Sequence, residues 1–160
     1  MKGFLTGLAL LVSAVMLQVL ASHRVPPLHR SVDLVLLVVV YYGSAGQRVG
    51  AMFAGAAGGL LEDVWLGDVM GIHGLSKTLI AYVLGGIGSH FELSSAPART
   101  VAVMLAALLE SAVQPLILLG LGLPAAPPQP VDLLLRCLGN GVAGALLFSL
   151  AAKKGLVPAT

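Results

Sequence analysis

Charge is what this chain has least of. Asp, Glu, Lys and Arg together make up 10% of its 160 residues, against about 25% in a soluble domain. That is far too little polar surface to cover a water-soluble globule of this size. The nine basic residues form no patch, so nothing supports nucleic acid as a partner. Cysteine occurs once, at Cys137, which excludes an intrachain disulfide and a thiolate zinc site and fits a small apolar side chain in a helix. Aromatic residues reach only 5%, which argues against a pocket that stacks a flat ligand. HExxH, paired cysteines and a glycine-rich phosphate loop ending in GK are all missing. Ser76 and His73 stand at helical spacing without a third group, so they make no credible nucleophile and base. The sequence argues against an enzyme and for neither a cofactor nor a metal.

What the chain has in plenty is apolar side chain: 58% of residues and a mean hydropathy of +0.97. These residues fall into six runs: Phe4 to Ala21, Val32 to Gly43, Val49 to Leu66, Ile72 to Ile87, Thr100 to Leu123 and Val131 to Ala152. In lipid every backbone polar group has to be bonded internally, which leaves helices or closed barrels. The expectation is an all-α, polytopic transmembrane bundle of six helices forming a single integral membrane domain over residues 1–160. The first run imitates a secretory signal, but equally apolar sequence follows it, so an uncleaved helix is expected. Pro26 and Pro27 stop that helix, and the stretch Pro124 to Pro130 forms a later turn. The second run is short, and either extends through Ser44 and Ala45 or is re-entrant. Lys153 and Lys154 favour both termini inside, a weak bias.

Small residues recur every four positions at Gly50, Ala54 and Gly58, and again at Ala51, Gly55 and Gly59. Each set lies on one helix face and admits a close neighbour, from this chain or another. The few charges concentrate in GLLEDVWLGDVMGIHGLSK, from Gly59 to Lys77. Glu62 and Asp63 end the third run, Asp68 lies in the turn, and His73 and Lys77 share a face of the fourth. A short hairpin would bring Lys77 to Glu62 or Asp63, either to fix the turn or to meet a partner or ligand. Asp33 is placed to cap the second helix. Glu110, with Gln114 one turn on, falls inside the fifth run, where a carboxylate costs at least about 2.5 kcal/mol unless paired, protonated or solvated. It reads as a hydrogen-bond node facing the bundle or a partner, as a proton or substrate site, or as a group brought to water by helix tilt.

The order VDLVLLVVVYYG, then GAMFAGAAGGLLEDVWLGDVMGIHGLSKTLIAYVLGGIG, then a polar connector and a helix carrying an acid, resembles MreD, a family of bacterial rod shape-determining membrane proteins. The elements that carry the likeness are Asp33, the run Gly59-Leu60-Leu61-Glu62-Asp63, and Gly67 with Gly71, over roughly Leu28 to Leu119. The resemblance implies a non-catalytic scaffold in the bacterial cytoplasmic (inner) membrane, helping to control rod shape and lateral peptidoglycan synthesis. It implies as partners an MreC-like protein, an MreB-like filament and the peptidoglycan elongation synthases, besides membrane lipid. The alternative is the substrate-binding membrane subunit of an energy-coupling-factor vitamin transporter, with Glu62, Asp63, His73 and Lys77 lining a ligand pocket. A proton-coupled carrier would rest on Glu110 alone.

Overall fold

The computed structural model describes residues 2–24, 31–66, 69–88 and 95–153. Among these, every regular element is a helix: α1 Lys2–Arg24, α2 Leu34–Ser44, α3 Arg48–Leu66, α4 Ile72–Gly88, α5 Ala96–Gly120 and α6 Pro130–Lys153. The expected all-helical membrane bundle is found, run for run. Three of the helices, α3, α5 and α6, are long and apolar enough to cross a membrane. The expectations placed on Pro26, Pro27, Gly67, Asp68 and Lys154 concern positions outside the described residues.

The start of α5 departs most from the apolar pattern. The polar sequence SSAPAR reads as a connector, yet the helix begins at Ala96, four residues before the apolar run. Ser95 caps it by accepting the Ala98 N–H at 3.3 Å, and Pro97 sits in the first turn, where its missing N–H costs nothing.

The short helix α2 organises the bundle. Asp33 caps it, Oδ1 accepting the Leu36 N–H at 2.8 Å. Its sequence is apolar on every side, the pattern of a helix surrounded by others, and Val35, Leu36, Leu37, Val39 and Val40 are all shut away from the surface. It touches α1, α3, α4 and α5. On one side Leu36, Leu37 and Val40 pack with Ile80, Val103, Ala106 and Phe148. On the other, Val35 and Val39 pack with Leu11, Val15, Ala51 and Ala81. Eleven residues make about 16 Å of helix at 1.5 Å per residue, roughly half of the ~30 Å hydrocarbon core. The run does extend through Ser44, with Ala45 as its C-cap, and ends well short of a full crossing. Gly46, at φ 71°, then turns the chain into α3.

The small-residue rows of α3 are used inside this chain. A Cβ on Gly55 would stand 2.8 Å from the Lys77 carbonyl, and one on Gly59 would stand 2.5 Å from the backbone of His73 and Gly74. The backbones of α3 and α4 are therefore in contact along that row. Gly58 faces the other way, where a Cβ would meet Val35 at 2.5 Å. Gly50 has no such crowding, its nearest neighbour being Tyr42 at 3.6 Å.

Thermal unfolding of purified protein in detergent tests this contact. Gly59→Ala has to push two backbones apart and is expected to cost about 1–3 kcal/mol. Gly50→Ala meets only ordinary contact and is expected to lie within about 0.5 kcal/mol of the parent.

Candidate functional site

The chain alternates direction, so one side of the bundle collects the C-terminal parts of α1, α3 and α5 with the N-terminal parts of α2, α4 and α6. Because α2 reaches only about halfway across, a space opens beneath its N-terminus. Polar side chains from all six helices converge there.

At the centre is Lys77 of α4, fully buried. Its Nζ lies 2.7 Å from Asp33 Oδ2, 2.9 Å from Glu62 Oε2 and 2.7 Å from Glu110 Oε1. These carboxylates come from the cap of α2, from α3 and from α5. An ammonium has three N–H donors, and here it faces three acids. The bond to Glu110 is a well-formed hydrogen bond. Glu62 Oε2, although 2.9 Å away, lies off the hydrogen-bonding direction and has no hydrogen-bond partner.

Glu110 is the second node. Besides Lys77, it accepts from Gln114 Nε2 at 3.3 Å and Ser76 Oγ at 3.5 Å, and its Oε2 accepts from Arg136 Nη2 at 3.4 Å. Arg136 Nη1 donates to Ser111 Oγ at 3.2 Å. Asn140 then ties α6 to the start of α2: its Oδ1 accepts the Asp33 N–H at 2.9 Å, and its Nδ2 donates to Ser31 O at 3.2 Å and Arg136 O at 2.9 Å. Gln18 of α1 completes the ring, donating to Val32 O and accepting the Leu34 N–H, both at 3.0 Å. Counted along the helices, Glu62 and Lys77 lie about 6–8 Å from the hairpin ends of α3 and α4, and Glu110 about 15 Å from the end of α5.

Asp63 does something different from its neighbour. One step along α3 turns its side chain by about 100°, away from Lys77 and onto the turn into α4. Its Oδ2 accepts the N–H groups of Gly71 at 2.9 Å and Gly74 at 3.3 Å. Its Oδ1 accepts the His73 N–H at 3.0 Å and pairs with His73 Nδ1 at 2.8 Å. A carboxylate thus satisfies the orphan donors at the start of α4, where the helix dipole also favours negative charge. Gly71, at φ 97°, supplies the left-handed turn this requires.

The seven residues singled out in the sequence therefore divide. Asp33, Glu62, Lys77, Glu110 and Gln114 meet in one cluster, and Asp63 and His73 form a separate cap. The ion pair drawn between Lys77 and either acid of the hairpin is found with Glu62 and not with Asp63. Glu110, which in sequence has no charged companion in its run, is flanked by Lys77 and Arg136. Sequence reasoning missed Arg136, Asn140, Ser111 and Gln18. The signal for Gln18, Arg136 and Asn140 was there, since a polar side chain inside an apolar run is costly without a partner.

Gln18, Asp33, Glu62, Leu66, His73, Asp132 and Arg136 line a cleft of about 270 Å³ beneath α2. Asp132 and Arg136 also border a second cleft of about 280 Å³, between the end of α5 and the proline-rich turn. Among the described residues, no group of three His, Cys, Asp or Glu side chains is arranged to hold a metal ion.

The family model described as rod shape-determining protein MreD matches residues 2–125. That span takes in α1 to α5, with Lys77 and its three acids. No curated protein and no solved structure matches the chain.

Two substitutions separate the cluster from the cap, read as thermal stability and as the amount of protein held in the membrane. Lys77→Met leaves three buried carboxylates without their shared cation and is expected to cost about 3–5 kcal/mol. Asp63→Ala loses the cap of α4 and is expected to cost about 1–2 kcal/mol.

Proposed function

The chain belongs to the MreD family of rod shape-determining proteins, and on that premise we propose that it serves as a non-catalytic membrane scaffold of the cell-elongation machinery. In this reading it sits in the bacterial cytoplasmic membrane. It holds an MreC-like protein, and through it an MreB-like filament, beside the synthases that build lateral peptidoglycan.

The observation that carries the reading is how the polar side chains are used. Lys77, Asp33, Glu62, Glu110, Arg136 and Asn140 join α2, α3, α4, α5 and α6 to one another. A partner would therefore meet a body whose helices are fixed relative to each other. The outward surface is apolar helix, with Phe53, Val101, Leu105 and Leu116 all more than half exposed. Such faces contact lipid or the helices of another membrane protein. Asp63, only 2% exposed and engaged by four donors, is not offered on that surface. At its end of the hairpin Trp65 and Met70 are, at 54% and 70%. The family match lends no support to the vitamin-transporter alternative.

Affinity purification of a tagged copy from native membranes in mild detergent tests the scaffold. The expected result is recovery of an MreC-like protein or the elongation synthases, with a loss of rod shape when the chain is depleted. Recovery of transporter ATPases in their place, with cell shape unchanged on depletion, would contradict it.

A further inference from the structure

Charge is segregated along the bundle. The carboxylates of the described residues, Asp33, Glu62, Asp63, Glu110 and Asp132, all lie in the half that holds the Lys77 cluster. The other half collects the N-terminal parts of α1, α3 and α5 with the C-terminal parts of α2, α4 and α6. Its charged positions among the described residues are Arg48 and Arg99, with Lys2 and Lys153 at the outer ends of α1 and α6. The chain's three tyrosines, Tyr41, Tyr42 and Tyr82, lie in this half as well, as aromatic side chains do at a membrane interface.

Arg48 is the cation of this half that is placed to meet a partner. It is the first residue of α3, a helix long and apolar enough to cross a membrane, so it stands where hydrocarbon gives way to headgroups. Its guanidinium lies 3.7 Å from the centroid of the Tyr82 ring, and Tyr82 is 52% exposed. The stem of Arg48 crosses α4 at Gly85, where a Cβ would stand 2.6 Å from Arg48 Cγ. The bare backbone of Gly85 and the ring together fix the side chain. Gly86, one turn beyond Tyr82 on the same face, has nothing within 4 Å of where its Cβ would be, which leaves open space beside the guanidinium. No carboxylate of the described residues lies within ion-pair distance of Arg48. A guanidinium stacked on a ring keeps its N–H donors around its edge, in a fork that fits two oxygens of a phosphate. We propose that Arg48 and Tyr82 form a seat for the phosphate of an anionic phospholipid, with its headgroup over Gly86. Charge decides between headgroups. A zwitterionic one brings an ammonium, for which this half offers no carboxylate among the described residues, whereas an anionic one brings negative charge to a half that holds only cations among them.

The test uses the full chain in nanodiscs of equal parts phosphatidylglycerol, phosphatidylethanolamine and phosphatidylcholine, with retained lipid read by native mass spectrometry. All three carry a phosphate, and only phosphatidylglycerol is anionic. It is expected to be retained about fivefold over each of the others, which is what one basic side chain contributes at an anionic membrane surface. Arg48→Gln keeps an unbranched stem over Gly85 without the charge and is expected to abolish the preference. Tyr82→Leu keeps the charge and removes the ring, is expected to lower the preference about twofold, and decides the matter should the Arg48 variant not fold. Arg24→Gln, at an exposed position in the other half, is expected to leave the preference at the parent level. Equal retention of the three lipids would overturn the proposal, as would a preference that the Arg48 or the Tyr82 variant leaves intact. An equal loss in the Arg24 variant would assign the preference to net charge and overturn it too. Millimolar inorganic phosphate at constant ionic strength is expected to leave the lipid in place, and its displacement would make the seat one for a free anion, against the proposal.

Discussion

An ammonium shut away from both water and lipid has to find its counter-charges within the protein, and Lys77 finds three. Each arrives from a different helix, so neutralising one side chain fixes the mutual position of α2, α3, α4 and α5. Arg136 and Asn140 bring in α6 through Glu110 and the Asp33 backbone. Between apolar helices in lipid, ordinary hydrophobic burial supplies little net attraction, because lipid tails are as apolar as leucine. Close backbone packing and a buried polar network are what remain to specify the arrangement. The α3–α4 contact at Gly55 and Gly59 uses the first, and the Lys77 cluster uses the second.

The shortness of α2 is what makes room for the cluster. A helix crossing the full hydrocarbon thickness in its place would fill the space with apolar side chains and leave Lys77 without its acids. Asp33 stops the helix about halfway, caps it with Oδ1 and meets Lys77 with Oδ2. One carboxylate therefore sets both the length of the central helix and the charge beneath it. The shortness of α2 also leaves the polar cleft beneath it.

Much of this was legible in the sequence. The six apolar runs mark the six helices because in lipid an apolar run has only one economical backbone structure. The motif GLLEDVWLGDVMGIHGLSK announces a charged hairpin end, and Asp33 reads correctly as a cap. The different duties of Glu62 and Asp63 were not legible: they follow from a rotation about the helix axis, and the turn that Asp63 closes is shaped only once α3 and α4 are in contact. Nor did the partnership of Lys77 with Glu110 show, since 33 residues separate them. In the sequence Lys77 reads as the partner of a hairpin acid, and only the packing of α2 and α5 against α4 brings Asp33 and Glu110 to it as well. The start of α5 was hidden for a simpler reason, a polar cap and first turn that look like loop.

Lys77 and Glu110 act as a coupled pair within the bundle. A double-mutant cycle measures it directly, using thermal or denaturant unfolding of the parent, Lys77→Met, Glu110→Gln and the combination. The combined variant is expected to be more stable than the sum of the single losses by about 0.5–3 kcal/mol, because removing both charges leaves neither stranded. Additive losses would mean that the two side chains do not depend on each other, and would rule out the coupling.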